Sequence, residues 1–304
     1  MNKEKRNGLV ALGAVCIIWG TTYYALRVGV KSFPPLLFSG IRQIIAGFLL
    51  LILMLMIKQK FNWGIDNLLR QAIIGFLMMV MGNGLVGWAE VFIPSGLAAL
   101  IASLIPLNIV LINYISGKER KINAQIISGL FLGLCGMGFI FKDNLKDLGN
   151  SGYFTGLMMS LTASVCWSLG TVLVKKYNNK SDTPYHNMAL QMLFGGIVMG
   201  IGGFFIEDHE RMFMSTSESW EALFYLVIFG SIVALLSYQY AIKTLSINTV
   251  SLYAYINPFI ATILGCVLLN EKFTWYTAIA FVLTLSGIYM VNNGNNSFKK
   301  NNNG

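Results

Sequence analysis

Runs of apolar residues, separated by short polar stretches, follow one another along the whole chain. Each run is about 17 to 25 residues long, the length that a helix needs to cross the hydrocarbon core of a bilayer. This pattern predicts an all-α integral membrane protein with ten transmembrane helices, at residues 9–27, 34–57, 70–89, 94–115, 122–141, 153–174, 187–206, 220–241, 248–270 and 273–292.

One segment of the chain occurs twice. Residues Leu104 to Glu119 (LIPLNIVLINYISGKE) align without a gap with Ile256 to Glu271 (INPFIATILGCVLLNE). The alignment matches Pro106 with Pro258, and each proline lies thirteen residues before the glutamate that ends its segment. Similarity of a chain to itself at such a distance indicates an internal repeat.

The repeat divides the chain into two units of five helices, residues 1–147 and 148–292, followed by the tail 293–304. Because five is an odd number, the second unit must enter the membrane from the opposite face. The prediction is therefore ten transmembrane helices as two inverted five-helix repeats. Inverted repeats allow two arrangements, each open to one side of the bilayer, around a site near the midplane. The Asn-rich tail is predicted to be disordered and cytoplasmic.

The charged residues indicate how the helices are oriented. Hydrophobic residues make up 55% of the chain and charged residues only 12%, which is typical of a membrane protein. With a cytoplasmic N-terminus, fifteen of the 22 basic residues fall on the cytoplasmic side, six fall outside, and Arg42 lies within a span. This asymmetry follows the positive-inside rule. It predicts a multi-pass protein of the cell (inner) membrane with both termini cytoplasmic, and no nucleic acid as a partner.

Two ionisable side chains lie in or beside the predicted spans, where burying a charge is costly. Arg42 lies in the second span, and it either pairs with a carboxylate of a substrate or of the protein, or clamps helices through their backbone carbonyls. Glu90 lies at the end of the third span, on one helical face with Asn83 and Gly87. It is either a proton carrier for antiport or a solvated carboxylate at a helix end.

Aromatic, amide and hydroxyl side chains recur at the spacing of a helical turn in other spans. They either line a substrate cavity together with Arg42 and Glu90, or pack and hydrogen-bond between helices. These candidates are Trp19, Tyr23, Asn83, Trp167, Thr171, Gln191, Tyr238, Tyr253 and Asn257.

Matched positions of the repeat provide two further expectations. Pro106 and Pro258 are either hinges or prolines that a membrane helix simply tolerates. Glu119 and Glu271 lie in turns, where we expect each carboxylate to cap the helix that follows it.

The sequence shows no pattern for a metal or cofactor. The four cysteines are isolated from one another, and both histidines, His186 and His209, are predicted to lie in loops. We therefore expect neither a metal nor a cofactor.

Several of these motifs resemble a known family. They look like those of the EamA-type permeases of the drug/metabolite transporter superfamily, and the resemblance covers essentially the whole chain. It is carried by WG at Trp19–Gly20, Arg42, SGLAALIASLIP at Ser95–Pro106, GKER at Gly117–Arg120 and NPFIATILGCVLLNEK at Asn257–Lys272. The resemblance implies a ten-helix secondary transporter, often an exporter of amino acids or other small metabolites. It also implies a central cavity formed by the first four helices of each repeat.

The predicted function is secondary active transport by alternating access, with export of amino acids, other small metabolites or drugs. A membrane-embedded enzyme and a channel are the alternatives. The chain contains no HExxH, GxSxG or Walker A motif, which argues against an enzyme. The expected partners are a small-molecule substrate and the lipid bilayer, while proton coupling and a homo-oligomer stay open.

Overall fold

The computed structural model of the protein describes residues 3–59, 61–117, 124–143, 151–177, 184–245, 250 and 253–302. Helices account for nearly all of these residues, and none of them forms a β-strand. The α-helices are α1 (Lys3–Ser32), α2 (Pro35–Met56), α3 (Ile65–Gly75), α4 (Leu85–Ala89), α5 (Ser95–Ala102), α6 (Ile105–Ile115), α7 (Ala124–Asp143), α8 (Ser151–Tyr177), α9 (Pro184–Ile206), α10 (Ser217–Tyr225), α11 (Ala234–Thr244), α12 (Tyr253–Leu268) and α13 (Trp275–Asn302).

Seven stretches of the described residues are long and apolar enough to cross a membrane, which confirms the all-helical membrane class. They are Lys3–Ser32, Pro35–Met56, Ile65–Ala89, Ser95–Ile115, Ser151–Val174, Tyr185–Ile206 and Ser217–Tyr238. Three shorter apolar helices follow the same pattern, at Ala124–Gly136, Ile256–Leu268 and Trp275–Val291. All ten overlap the runs expected from the sequence, while the count of ten spans and their inversion stay predictions.

The last helix is longer than its apolar part. The helix α13 continues to Asn302, so residues 293–302 are helical where their composition predicts a disordered tail. Neither a proline nor a strong helix stop follows Val291, and Asn and Gly lower helix propensity without ending a helix that already has a long N-terminal part.

Large apolar side chains cover the outside of the bundle. Phe204, Phe259 and Val282 are 53%, 49% and 66% exposed, whereas Arg42 and Glu90 are buried. This distribution suits a protein whose solvent is lipid, because hydrocarbon accepts apolar surface and polar groups must find partners inside.

Glycines bring α2 and α9 into close contact along most of their length. A Cβ atom on Gly40 would lie 2.7 Å from the backbone nitrogen of Gly200, and one on Gly196 would lie 2.8 Å from the backbone nitrogen of Ile44. Such contacts require small residues at the crossing, as in other membrane helix pairs. We call this contact the α2/α9 seam.

Two helices widen into π-helical turns at corresponding places. The first π segment is Phe76–Gly84, between α3 and α4, and the second is Leu226–Val233, between α10 and α11. They lie about 150 residues apart, which is close to the offset between the sequence repeats. π turns are rare and occur frequently at functional sites.

The two candidate hinge prolines differ in their surroundings. The chain is interrupted between α5 and α6, and Pro106 lies in the first turn of α6. Pro258, by contrast, lies inside the unbroken helix α12. Of these two prolines, Pro106 lies at an interruption of its helix and Pro258 does not.

Carboxylates from the second half of the chain cap two helices of the first half. The Glu207 carboxylate accepts hydrogen bonds from the backbone nitrogens of Leu36 (2.9 Å) and Leu37 (3.0 Å), in the first turn of α2. Burial raises the pKa of the Glu207 carboxyl, although these two bonds lower it in part. Glu271 caps α5 in the same way, at Ser95.

The prediction for Glu271 was therefore wrong in one respect. Its carboxylate caps α5 in the other half of the chain and not the helix that follows it, because the turn after α12 directs its side chain toward α5. The Glu119 turn and the junction between residues 147 and 148 lie outside the described residues.

The α2/α9 seam leads to a first prediction. Gly40→Ala should lower the free energy of unfolding by about 1–3 kcal/mol, because the added methyl group overlaps the backbone of α9. Thermal unfolding in detergent measures the change. Gly202→Ala in α9 is the matched control, since a Cβ at that position has nothing within 4 Å. Equal melting temperatures for the two variants would contradict the tight packing of the seam.

Candidate functional site

The second π segment holds the buried arginine. Arg42 lies in α2, is 8% exposed, and donates a hydrogen bond from Nε to the Ser231 hydroxyl at 3.1 Å. Gly230 provides the space beside it, since a Cβ there would lie 3.3 Å from Arg42 Nη2. The widened turn of the second half thus positions the cation of the first half.

Glu90 is fully buried at the end of α4, and neither of its carboxylate oxygens has a hydrogen-bond partner among the described residues. The Ser39 hydroxyl, buried on α2, also has no partner. These two elements are in contact, because a Cβ on Gly87 would lie 2.9 Å from Ser39 Oγ. Glu90 interacts electrostatically with Arg27 and Arg42 without a hydrogen bond to either.

Three aromatic rings meet next to these polar groups. The Trp19 ring in α1 lies 5.0 Å from the Tyr238 ring and 5.1 Å from the Tyr253 ring, and the two tyrosine rings are 5.7 Å apart. Tyr23, one turn after Trp19, interacts electrostatically with both Tyr253 and Glu90. Trp19, Tyr238 and Tyr253 therefore form one cluster of rings from three helices.

Asn257 holds two helices of this aromatic group together. In the amide orientation that satisfies both of its polar atoms, its nitrogen donates to the backbone carbonyls of Tyr253 and Cys16, each at 3.0 Å. Its role in the structure is thus a bridge between α12 and α1.

We call Trp19, Tyr23, Arg42, Glu90, Ser231, Tyr238 and Tyr253 the central group. Most of its members were predicted from the sequence. The contact of Ser231 with Arg42 could not be predicted, because the sequence does not show that a π turn brings the two together.

Three predicted residues lie together on the α8 side of the bundle. The Trp167 ring packs on Gly82 in the first π segment, where a Cβ would lie 2.8 Å from it. The Thr171 hydroxyl donates to the Trp167 carbonyl at 2.8 Å, and the Asn83 amide approaches the Met79 sulfur at 3.5 Å. Thr171 and Asn83 thus bond to their own helices.

Gln191 belongs to a separate cluster, which we call the amide ladder. Its nitrogen donates to the Gln71 oxygen at 2.7 Å, and the Gln71 nitrogen donates to Asn67 at 3.0 Å. Asn67 then donates to Asn187 at 3.1 Å. The ladder joins α3 to α9 by four buried amides.

The sequence analysis missed Asn67 and Gln71. Their signal was an i, i+4 spacing in a mostly apolar stretch, which repeats in Asn187 and Gln191. His186 was also misplaced, since it lies in the first turn of α9 and not in a loop. Because α9 begins at Pro184, His186 is part of the helix, and its Nε2 lies 2.9 Å from the Asn62 carbonyl oxygen.

Metal chemistry receives no support from the described part of the chain. None of these residues form a group of three or more His, Cys, Asp or Glu side chains that could hold an ion. A cavity of about 480 Å³ on the surface of α12 and α13 is lined by apolar side chains such as Phe259 and Val282, and it contains none of the central group.

Buried ionisable and aromatic side chains inside a bundle of apolar helices are features of a membrane transporter. The chain belongs to the EamA-like transporter family, which matches residues 6–142 and, a second time, residues 154–293.

Individual relatives cover the whole chain. The inner membrane transporter YedA of Escherichia coli (strain K12) is 35% identical over 292 residues, which are 92% of this chain and 91% of YedA. The transporter YoaV of Bacillus subtilis (strain 168) is 24% identical over 282 residues, 93% of this chain and 95% of YoaV. A crystal structure that is 20% identical in sequence superposes with a TM-score of 0.64 over 95% of this chain and 97% of its own, which supports the fold.

The amide ladder leads to a second prediction. Asn67→Leu should lower the free energy of unfolding by about 1–3 kcal/mol, because buried amides of Gln71 and Asn187 lose their partner. Thermal unfolding in detergent again measures the effect. Ile73→Leu, at an exposed position of α3, is the control and should leave the melting temperature unchanged. An unchanged melting temperature in Asn67→Leu would show that the ladder contributes nothing to stability.

Proposed function

We propose that the protein is a secondary transporter with ten transmembrane helices, built from two inverted five-helix repeats, residues 1–147 and 148–292. The two repeats move against each other, so that the protein alternates between a state open to one side of the membrane and a state open to the other. Two observations support this architecture. The family matches each half of the chain separately, and the two π segments occupy corresponding places in those halves. Two such units, facing opposite ways, open a central site to one side of the membrane at a time.

The unsatisfied Glu90 carboxylate carries the proposal for the substrate. Both of its oxygens are buried without a partner in the part of the chain that the structure describes, and Arg42 donates to Ser231 and not to Glu90. Leaving a buried charge unpaired costs several kcal/mol, so the site is complete only with a bound species. A zwitterion satisfies both groups, with its ammonium at Glu90 and its carboxylate at Arg42.

The aromatic rings define the remainder of the substrate. Trp19, Tyr238 and Tyr253 offer ring faces that pack against an apolar side chain, and such faces also attract a cation. The substrate class is therefore a small amphipathic molecule with a carboxylate and an amine. Amino acids and related metabolites or drugs belong to this class.

Glu90 also provides a way to couple transport to protons. A proton neutralises the same carboxylate that an ammonium group would pair with, so the two compete for one site. Competition of this kind gives antiport, in which a proton enters as the substrate leaves.

Charge and kinship support the proposed location and are consistent with export. The basic residues favour cytoplasmic termini, and the relative YedA is an inner membrane transporter. An exporter in the inner membrane, driven by the inward proton gradient, is consistent with both. Membership of a transporter family favours transport over catalysis.

Arg42→Ala provides the test of the substrate site. Purified protein in proteoliposomes is first assayed with a panel of radiolabelled amino acids and aromatic metabolites. For each transported compound, Arg42→Ala should lower the flux at least about tenfold, because it removes a charge-assisted hydrogen bond. Arg70→Ala is the matched control, since Arg70 is exposed and lies over the Tyr177 ring. Unchanged flux in a folded Arg42→Ala protein would remove Arg42 from the site.

Glu90→Gln tests the coupling. The variant keeps the size of the side chain but binds no exchangeable proton, so an inward proton gradient should no longer stimulate export. Counterflow without a gradient should persist if the amide still admits substrate. Glu210→Gln, at an exposed position, should respond to the gradient as the parent protein does. Gradient-stimulated export by Glu90→Gln would refute the coupling role.

A further inference from the structure

The helix α5 is short, and the turn residues Ser103 and Leu104 join it to α6 within one apolar span. It contains eight residues, Ser95–Ala102, and ends at a break before α6 begins at Ile105. Seven of these eight residues, Ser95 to Ile101, are buried against neighbouring helices. A rigid segment with a break at one end can rotate about that end when the contacts at its other end open.

The contacts at that other end come from Glu271. Its Oε1 accepts a hydrogen bond from the Ser95 backbone nitrogen at 2.8 Å, and its Oε2 accepts from the Ser95 hydroxyl at 2.9 Å and the Gly96 nitrogen at 3.3 Å. The residue before α5 is Pro94, which provides no side-chain cap of its own. The carboxylate thus satisfies donors that would otherwise be unpaired, and its charge favours the positive end of the helix.

The local chain is shaped for this contact. Asn270, at the end of α12, has φ 55°, a left-handed conformation that reverses the backbone so that Glu271 approaches α5. Gly265 leaves the space for the carboxylate, since a Cβ there would overlap it. Gly96 packs on Thr262 in the same interface.

Glu207 has the same chemistry in a different setting. It caps α2, an unbroken helix of 22 residues that is held along its length in the α2/α9 seam. Opening the bonds of Glu207 would therefore leave α2 in place. Opening those of Glu271 would free the first turn of α5 from α12, and only the eight residues of this helix, packed in the apolar core, would then resist its motion.

We propose that Glu271 is the latch of a gate formed by α5. While its carboxylate is bonded to Ser95 and Gly96, α5 and α12 are held together and this end of the molecule is closed. When the bonds break, α5 turns about the Ser103 and Leu104 break and gives access to the central group. The inference rests on the proposed alternating access, and it assigns the opening step to a single tie between the two halves.

The test measures water access to α5 and requires no substrate. The four native cysteines are replaced, and Ala99→Cys is introduced one turn below Ser95, at a position that is 2% exposed. A membrane-impermeant maleimide is then applied to intact cells and to inverted vesicles. In the proposed topology α2 and α5, capped by Glu207 and Glu271, begin on the same side of the membrane. Glu210→Cys, which is exposed near Glu207, therefore shows which preparation presents the Glu271 end to the reagent.

Glu271→Gln should increase the labelling rate of Ala99→Cys about tenfold, because an amide cannot accept bonds on both of its terminal atoms. Glu207→Gln should leave the rate unchanged. Ala46→Cys, fully buried on α2, should stay unlabelled in every background, which excludes general unfolding. Unchanged labelling in Glu271→Gln, or an equal increase in Glu207→Gln, would overturn the latch.

A second variant separates the latch from a simple helix cap. Pro94→Asp combined with Glu271→Gln supplies a cap from α5 itself without a tie to α12. The melting temperature should recover while labelling of Ala99→Cys stays high. Recovery of the low labelling rate would show that capping alone closes this end, which overturns the proposal.

The outcomes also distinguish the latch from the transport function. Fast labelling in Glu271→Gln, together with no flux of any panel compound by the parent protein, would support the latch and refute the proposed substrate class. Normal flux with unchanged labelling would support transport and refute the latch.

Discussion

The structure depends on one constraint, which is that every polar group held in hydrocarbon must find its partner inside the protein. Helices satisfy most backbone groups, but the first amides of each helix remain without a partner. The chain meets this need for α2 and α5 by side chains from distant sequence, Glu207 and Glu271. The same bonds that complete a helix therefore also connect the two halves of the molecule.

The constraint also explains why the interior polar groups fall into two kinds. The amides of the amide ladder bond to one another, with Gln191 donating to Gln71, Gln71 to Asn67 and Asn67 to Asn187, and they join α3 and α9. Glu90 has no such partner in the described ranges of the chain. A buried carboxylate whose two oxygens both lack a partner among the described residues marks a place where something can bind, whereas bonded amides hold helices together.

Much of this arrangement could be predicted from the sequence, since span length and apolar pattern are local properties. Trp19, Tyr238 and Tyr253 were selected from helical spacing, and they do meet. The link of Gln191 to Gln71 and the cap from Glu271 to α5 could not be predicted, because both join residues that the repeat pattern does not pair. The interruption before Pro106 and the continuity at Pro258 also depend on packing that a shared residue type does not reveal.

The paired π turns have a consequence for the angular position of everything beyond them. A π turn accommodates one more residue than an α turn, and one residue corresponds to about 100° of rotation around the helix axis. The segment Phe76–Gly84 therefore decides which side of its span Glu90 occupies, and Leu226–Val233 does the same for Tyr238. A single added residue in each half is enough to turn these side chains inward. The orientation of the core therefore depends on the number of residues in each π turn as well as on their types.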